Sequence, residues 1–151
     1  MVWGCMTAQG VDYLCAIRDR MNAEIYCDIL DNYLLSTMEW YYLNKNKIFF
    51  QHDNNPKHVA KDTIKWLHDA DINVLDWPSQ SPDLNPIEHL WDYLKRRLSD
   101  YPDVPSGMNT LWERIEEEWN KIPTEKCLEL IDSMPQRIAA VIKAKGGHTN
   151  Y

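Results

Sequence analysis

Long hydrophobic runs and paired cysteines are both missing from this sequence. No stretch approaches the roughly 18 uncharged apolar residues that a membrane-spanning helix needs, so we expect no membrane span. The first residues lack a basic segment leading into an apolar one and do not resemble a signal peptide. The cysteines are scattered without a CxxC pair, which argues against a zinc ribbon or a disulfide framework and favours a reducing compartment.

Positive charge is also scarce. The chain has 16 Lys and Arg residues against 23 Asp and Glu residues, a net charge of −7. Because neutralisation of phosphates by Lys and Arg dominates affinity for DNA, this balance argues against a strong grip on DNA by this chain alone. With 151 residues and 44% hydrophobic residues the chain can bury a core. We expect one domain over 1–151, with a core at 1–100 and a helical part at 101–151.

Apolar periodicity predicts an α/β pattern in the first half of the chain. Short strands are expected at 2–6 and 11–17, joined as a hairpin with Gly10 near its turn. Asn22 can cap a following amphipathic helix. Two further apolar runs predict strands at 48–50, buried on both faces, and at 72–75.

Helices are predicted for most of the rest. One should begin after Asp53, with Pro56 in its first turn, and another should run from about Pro86 to Leu98. Three later apolar stripes predict three more helices, the second capped by Thr124 and the third ended by Gly146 and Gly147. Several of the seven tryptophans lie on such stripes and are expected in the core: Trp66, Trp91, Trp112 and Trp119.

Two acidic residues lie at positions that indicate a functional site. Asp53 lies just past a predicted buried strand, at the sheet edge where open α/β sheets bind ligands. Glu88 follows 34 residues later, in the first turn of a helix that begins after a proline-rich loop. Taken alone, Asp53 also fits a helix cap and Glu88 fits a first-turn residue favoured by the helix dipole. Asp83 is expected to cap or brace the loop instead.

Histidines and basic residues flank the two acids. The histidines match no standard zinc spacing, so packing or phosphate contact is the favoured interpretation of His52, His58 and His89. The basic residues could contact a DNA backbone or form a solvated helix face. The candidate nucleic-acid contacts are Lys57, His58, Lys95 and Arg96.

Two segments carry a resemblance to a known family. Residues 50–58 read FQHDNNPKH, and residues 74–91 read VLDWPSQSPDLNPIEHLW. Both are similar to the catalytic core of mariner-superfamily transposases, in the branch whose acidic triad is Asp-Asp-Glu. Two shorter segments agree with it: VWGC at 2–5 and AKGGH at 144–148.

The resemblance implies a ribonuclease H-like (RNase H-like) fold, a mixed sheet flanked by helices. It also implies that Asp53 and Glu88 are the second and third acids of a triad that holds two Mg²⁺ or Mn²⁺ ions. Oxygen ligands suit these hard cations, and an ion pair stabilises both the attacking and the leaving oxygen of a phosphodiester. The implied activity is metal-dependent DNA cleavage and strand transfer during transposition and integration.

The chain departs from the family pattern at its start. The family's first Asp lies on a strand upstream of the VWGC segment, and neither that strand nor the helix-turn-helix domains are present. Asp12 in a turn, Asp19 in a loop and Asp28 in a helix are not expected to replace it. The missing strand would lie between the strands at 2–6 and 48–51. We therefore expect a truncated catalytic domain with little or no cleavage activity by itself.

Partners and alternatives also follow from the resemblance. It implies DNA as a partner (transposon ends and target), a possible homo-oligomer or contact with a full-length transposase, and a location in the nucleus. One alternative is a non-catalytic remnant that binds DNA or a transposase. A third hypothesis is a general RNase H-like nuclease that acts on other nucleic acids.

Overall fold

The computed structural model describes residues 1–78, 81–147 and 149. Ser79 and Gln80 of the second motif and His148 of the C-terminal segment lie outside the described residues. The elements are strands β1 (Val2–Thr7) and β2 (Gly10–Ala16), and helices α1 (Ala23–Ile29), α2 (Leu35–Trp40), α3 (Lys61–Asp69), α4 (Pro86–Ser99), α5 (Met108–Asn120), α6 (Thr124–Asp132) and α7 (Met134–Lys143). Shorter elements are a π-helical segment (Leu30–Leu34) and 3-10 turns at Lys45–Lys47 and Pro82–Leu84.

The first two strands form the predicted hairpin. They pair in a two-stranded sheet, and Gly10 opens β2 with a φ of 135°, a conformation that side chains disfavour. Backbone bonds between Met1 and Ile17 close the open end of the hairpin, at 2.8 and 3.2 Å. The prediction that Asp12 lies in a turn was wrong, because this residue belongs to β2. It follows the tight turn and continues the ladder.

The two central strands are reduced to a single parallel bridge. The Phe50 amide donates to the Asn73 carbonyl at 2.7 Å, and the Leu75 amide donates to the Phe50 carbonyl at 2.9 Å. Within the described residues the paired strands of the sheet are β1 and β2. Burial on both faces was wrong for 48–50, since Phe49 is 70% exposed. A strand is buried on both faces only where other elements cover each side of it.

The helix after β2 begins where the sequence predicts. Asn22 caps α1 by accepting from the Ile25 amide at 2.8 Å, which confirms its predicted role. The π-helical segment then joins α1 to α2 without a break. The apolar stripe on this helical stretch supplies Tyr26 and Leu30 to the core, 1% and 0% exposed.

The segment after Asp53 differs from prediction. No helix begins at Pro56; residues 56–59 form a turn, and α3 begins at Lys61. Two side chains explain why the helix begins at Lys61 and not at Pro56. The Asp53 carboxylate accepts from the Asn55 amide at 3.1 Å, and the Asn55 side-chain oxygen accepts from the Lys57 amide at 3.2 Å. Such side-chain turns satisfy backbone donors locally and compete with helix formation.

The chain divides into two compact units. The first unit comprises Met1–Trp3 and Cys15–Ser81, and the second comprises Gly4–Leu14 and Pro82–Tyr151. Each has its own apolar core. The first core contains Ile17, Met21, Tyr26, Ile29, Leu30, Leu34, Met38, Leu67 and Ile72. The second contains Leu90, Leu94, Trp119, Ile122, Cys127 and Leu130.

The three helices predicted for the C-terminal part are present, but two residues of the predicted α7 stripe are exposed, Ile138 at 46% and Ile142 at 71%. Two helix ends also differ from prediction. Thr124 is the first residue of α6, and Pro123 takes the cap position. The Thr124 hydroxyl instead donates to the Gln9 carbonyl at 3.2 Å. Helix α7 ends at Lys143, before the predicted glycines. No helix in the described part of the chain has the length and apolar character needed to cross a membrane.

Three helices end on a left-handed residue that is not glycine. These residues are Tyr42 after α2, Asp71 after α3 and Lys145 after α7, with φ values of 52°, 56° and 53°. At each end the following amide bonds back across the last turn, as in Leu43 N to Met38 O at 2.8 Å. Glycine is the usual residue at this position of such a helix ending.

Candidate active site

Asp53 presents its carboxylate at the surface of the first unit. It lies three residues beyond the bridge residue Phe50, and its side chain is 58% exposed. One carboxylate oxygen, Oδ1, accepts from His58 Nδ1 at 2.6 Å and from the Asn55 amide at 3.1 Å. The carboxylate is therefore accessible from solvent and held in orientation by residues of its own turn.

Three aromatic side chains pack beside this carboxylate. The Tyr26 and His58 rings stack with their centroids 4.1 Å apart, and the His52 and His58 rings are nearly parallel at 5.3 Å. The Tyr26 hydroxyl lies 3.0 Å from His52 Nδ1. The packing alternative predicted for His52 and His58 is thus observed in the fold. Sequence reasoning missed Tyr26 in this cluster, because its place on an apolar stripe predicts only a core residue.

Burial shifts the pKa values of two of these side chains. Desolvation, reinforced by the neighbouring His58 and opposed by Asp53, lowers the pKa of His52 to about 4. His52 is therefore neutral at neutral pH. Desolvation, followed by the negative charge of Asp53, raises the pKa of the Tyr26 hydroxyl well above its usual value. The phenol stays protonated and can donate to His52.

The proline-rich loop borders the same region. The Asn54 side-chain amide donates to the Trp77 carbonyl at 2.6 Å, so this side chain ties the turn of Asp53 to the start of the loop. An open cavity of about 460 Å³ lies alongside, with His52, Asn54, His58 and Trp77 among the residues that line it. Its wall combines ring faces with polar atoms.

Glu88 lies in the first turn of α4, as predicted, and is exposed. Pro86 occupies the start of this helix, where its missing amide costs nothing. The Glu88 amide donates to the Asn85 carbonyl at 3.2 Å. Its carboxylate therefore stands at the positive end of the helix dipole, where an acidic residue is favoured.

A buried arginine supports the loop in front of Glu88. Arg137 on α7 is 2% exposed and donates to the Asp83 carbonyl at 3.0 Å and to His89 Nε2 at 2.7 Å. The Thr149 hydroxyl donates to Asp83 Oδ2 at 2.7 Å, which confirms that Asp83 braces the loop. Desolvation, and then the charge of Arg137, lowers the pKa of His89.

Sequence reasoning missed Arg137, although a signal was present. The residue follows Met134 by three positions and precedes Val141 by four, so its spacing places it on the apolar stripe of α7. An arginine on such a face is buried only when polar partners are available to its guanidinium.

The two acids lie in different units, and their predicted convergence stays a prediction. The structure brings Asp53 together with His58, and it places Glu88 beside the residues held by Arg137. Among the described residues, no three His, Cys, Asp or Glu side chains form a group that could hold a metal ion. The chemistry of Asp53 and Glu88 nevertheless fits Mg²⁺ or Mn²⁺, since both offer exposed carboxylate oxygens.

The four predicted nucleic-acid contacts lie in the turn after Asp53 and on helix α4. Lys57 lies in the turn after Asp53, and His58 is turned toward that acid with its side chain 16% exposed. Lys95 lies on α4 and pairs with Asp92 at 3.1 Å. Arg96 is exposed on the same helix. Their role toward DNA remains a prediction.

Comparison with protein families gives one extended match. The family model described as DDE superfamily endonuclease matches residues 1–107. Among curated proteins, the transposable element Tc1 transposase of Caenorhabditis elegans is 42% identical over 153 residues, covering 100% of this chain and 54% of that protein. The transposable element Tcb2 transposase of Caenorhabditis briggsae is 40% identical over 152 residues, with the same coverage. The chain spans about half the length of the curated relatives it matches.

Solved structures share the fold. The Mos1 transposase catalytic domain with raltegravir and Mn superposes with a TM-score of 0.87 at 22% identity, over 99% of this chain and 76% of that one. The Mos1 mariner paired end complex with Mn gives the same TM-score and covers 44% of that chain. At this identity the likeness establishes the fold, which is RNase H-like as expected.

Proposed function

We propose that this chain, which belongs to the DDE superfamily endonuclease family, functions in DNA transposition. The chemistry of this function is metal-dependent phosphodiester cleavage and strand transfer. The observation that carries the proposal is Asp53, an exposed carboxylate that His58 holds in orientation within the FQHDNNPKH motif. The Tc1 and Tcb2 relatives, which match over the whole chain, are named as transposases. DNA at transposon ends and target sites is the partner this function requires, and the nucleus is the compartment that holds it.

Asp53 and Glu88 are the residues that would hold Mg²⁺ or Mn²⁺. When bound, the ions supply positive charge that stabilises the attacking and leaving oxygens of a phosphodiester. The Mos1 catalytic domain has been solved with either metal. The chain's own contribution is to fix the carboxylates: His58 and Asn55 orient Asp53, and the braced loop sets the start of the helix that carries Glu88.

DNA would approach along the basic side chains near these acids. Lys57 follows Asp53 in the same turn, and Lys95 and Arg96 share α4 with Glu88. His58 already donates to Asp53. Orientation of the carboxylate is therefore a better-supported role for His58 than contact with phosphate. With a net charge of −7, the chain depends on such local contacts, or on bound cations, to attract a polyanion.

We propose that this chain alone shows little cleavage. It supplies two carboxylates where the family uses three, and each absent ligand leaves cation charge uncompensated. Weak ion binding would leave the reacting oxygens without a stabilising charge. Turnover would then need a partner that supplies the missing acid, such as a full-length transposase.

Isothermal titration with Mn²⁺ tests the metal assignment. The native chain should bind Mn²⁺ more tightly than Asp53→Ala and Glu88→Ala, since each variant removes one oxygen ligand. Asp92→Ala is the matched control: it removes an exposed carboxylate from the helix that carries Glu88 and should bind like the native chain. Equal binding in all four proteins would remove the metal assignment.

A plasmid-nicking assay separates the proposed function from its alternatives. The chain alone should leave supercoiled DNA intact in the presence of Mn²⁺. Nicking that Asp53→Ala abolishes would contradict the proposed inactivity and favour a general nuclease. Retention of a labelled duplex without nicking, unaffected by Asp53→Ala or Glu88→Ala, would favour a non-catalytic DNA-binding remnant.

A further inference from the structure

The hydrogen bond between His58 and Asp53 has a defined direction. His58 Nδ1 lies 2.6 Å from Asp53 Oδ1 and 3.3 Å from the Asp53 backbone carbonyl oxygen. Both of these oxygens are acceptors, because an ionised carboxylate and a carbonyl carry no proton to donate. The proton of this bond therefore belongs to Nδ1, and His58 is the donor.

The donor ring packs against two other rings. The Tyr26 ring stacks on it with an interplanar angle of 26°, and the His52 ring lies nearly parallel to it, at 6°. Tyr26 is 1% exposed and belongs to the core of the first unit. The Tyr26 hydroxyl also lies within hydrogen-bond distance of His52 Nδ1, at 3.0 Å, so the two supporting rings are joined to each other.

This arrangement differs from an ordinary surface ion pair. The side chain of Asp53 is 58% exposed, whereas that of His58 is 16% exposed. An exposed carboxylate on a turn normally rotates among several orientations at little energetic cost. Here Oδ1 accepts from both a partly buried ring and the Asn55 amide, which restricts the plane of the carboxylate.

We infer that His58 is a positioning residue for Asp53: its Nδ1–H fixes one carboxylate oxygen, and Tyr26 and His52 fix the ring. The inference rests on the proposed function, in which Asp53 is a metal ligand. A carboxylate already oriented loses less rotational freedom when an ion binds, and its outer hydrogen-bond partners therefore affect metal affinity.

Two substitutions separate the hydrogen bond from the ring. His58→Phe keeps an aromatic ring for stacking on Tyr26 and removes the donor. His58→Asn loses the ring, but its side-chain nitrogen takes the place of Nδ1 and can still donate. If the hydrogen bond positions Asp53, His58→Phe should weaken Mn²⁺ binding by about tenfold, and His58→Asn should recover most of that loss.

The chain offers a matched control pair elsewhere. His68 Nδ1 lies 3.4 Å from Asp69 Oδ1, and the His68 side chain is 88% exposed. His68→Phe should leave Mn²⁺ affinity unchanged. The affinity of each protein can be measured by the electron paramagnetic resonance signal of free Mn²⁺, alongside a circular dichroism spectrum that reports folding.

The outcomes are distinguishable. If Asp53→Ala weakens Mn²⁺ binding and folded His58→Phe does not, the positioning role is overturned while the metal assignment stands. If Asp53→Ala also has no effect, the proposed function itself fails. If folded His58→Asn loses as much Mn²⁺ affinity as His58→Phe, a restored donor does not recover binding, and the role of the hydrogen bond is overturned.

A measurement on the native chain covers the case in which His58→Phe does not fold. Nitrogen-15 NMR of the imidazole rings reports which ring nitrogen carries a proton. The His58 resonance should show a protonated Nδ1. A bare Nδ1 would mean that His58 donates nothing to Asp53, and the inference would fall without any substitution.

Discussion

Gly4 shows how closely one residue can be fixed by its surroundings. A Cβ built at this position would lie 3.0 Å from ring atoms of both Trp91 and Trp119. The two indoles stack at 5.0 Å, and the Trp119 Nε1–H donates to the Asp12 carbonyl at 2.7 Å. The rings are therefore held against the backbone of β1, with no space for a methyl group.

Gly4→Ala should consequently destabilise the chain by about 1–3 kcal/mol, the usual cost of overpacking a core. Urea unfolding followed by tryptophan fluorescence measures the change in the free energy of unfolding. Gly107→Ala is the control, since nothing lies within 4 Å of a Cβ at that position. A Gly4→Ala variant as stable as Gly107→Ala would mean that the indoles can move aside.

The closest ring stack at the site was the least predictable contact from sequence. Thirty-two positions separate Tyr26 from His58, and only the packing of the first unit brings their rings to 4.1 Å. The Asx turns of Asp53 and Asn55 were legible in principle, since Asp and Asn favour such turns, but the proline nearby favoured a helix start equally well. Local sequence could not decide between them.

At the scale of elements, α7 is the support of the loop that precedes α4. Within the described part of the chain, buried Arg137 donates to the Asp83 carbonyl, to His89 Nε2 and, at 2.7 Å, to the Ser133 hydroxyl. These bonds join the last helix to the Pro82–Leu84 turn and to the first turns of α4. Loss of the guanidinium would leave these partly buried acceptors without that donor.

Arg137→Met keeps much of the side-chain volume and removes the donors, so it should lower the free energy of unfolding by about 2 kcal/mol. Arg96→Met, on an exposed part of α4, should change it by less than about 0.5 kcal/mol. Thermal and urea denaturation of the three proteins provide the comparison. Similar values for both variants would show that the Arg137 contacts contribute little to stability.

Helices whose apolar residues recur over several turns were predicted well. Strands, which need neighbouring strands to pair with, were predicted less well. Helix α4 was expected from about Pro86 to Leu98 and runs Pro86–Ser99, because its apolar residues recur over several turns. The segments at 48–50 and 72–75 have the apolar composition of strands. They form only the Phe50–Val74 bridge, since strand pairing depends on neighbours that a local pattern does not specify.

At the scale of the whole molecule, the mariner resemblance of the two motifs was confirmed by the match to the DDE superfamily endonuclease model and by the Tc1 and Tcb2 relatives. The RNase H-like fold was confirmed by the Mos1 catalytic domain. The resemblance succeeded where periodicity alone gave only an α/β pattern, because motifs fix family membership more narrowly than composition does. Convergence of Asp53 and Glu88 stays a prediction.

A charged network around Glu118 also makes the stability of the fold depend on pH. The Glu118 side chain is 3% exposed and accepts from Lys121 Nζ at 2.9 Å, Arg97 Nε at 3.0 Å and the Tyr101 hydroxyl at 3.2 Å. The hydrogen bond from Lys121, assisted by those from Arg97 and Tyr101 and opposed by desolvation, lowers the pKa of Glu118. The folded state therefore favours the ionised carboxylate.

Because the folded pKa is below the unfolded one, Glu118 adds stability above the unfolded value of about 4.5 and loses it as pH falls through the folded value. Glu118→Gln should cost about 1 kcal/mol at neutral pH, and its difference from the native chain should shrink in acid. Urea unfolding at a series of pH values tests this. Glu116→Gln, exposed on the same helix, should show no such convergence, and a pH-independent difference for Glu118→Gln would contradict the assignment.

The left-handed ends of α2, α3 and α7 imply that this polypeptide does not reach the thermal resistance its architecture permits. Tyr42, Asp71 and Lys145 each carry a Cβ where the backbone prefers none, in a chain with only five glycines. Glycine there would relieve a steric penalty of about 1 kcal/mol per site, partly offset by the greater freedom of glycine in the unfolded chain. A triple replacement should melt a few degrees higher, and none of the three positions takes part in the proposed chemistry.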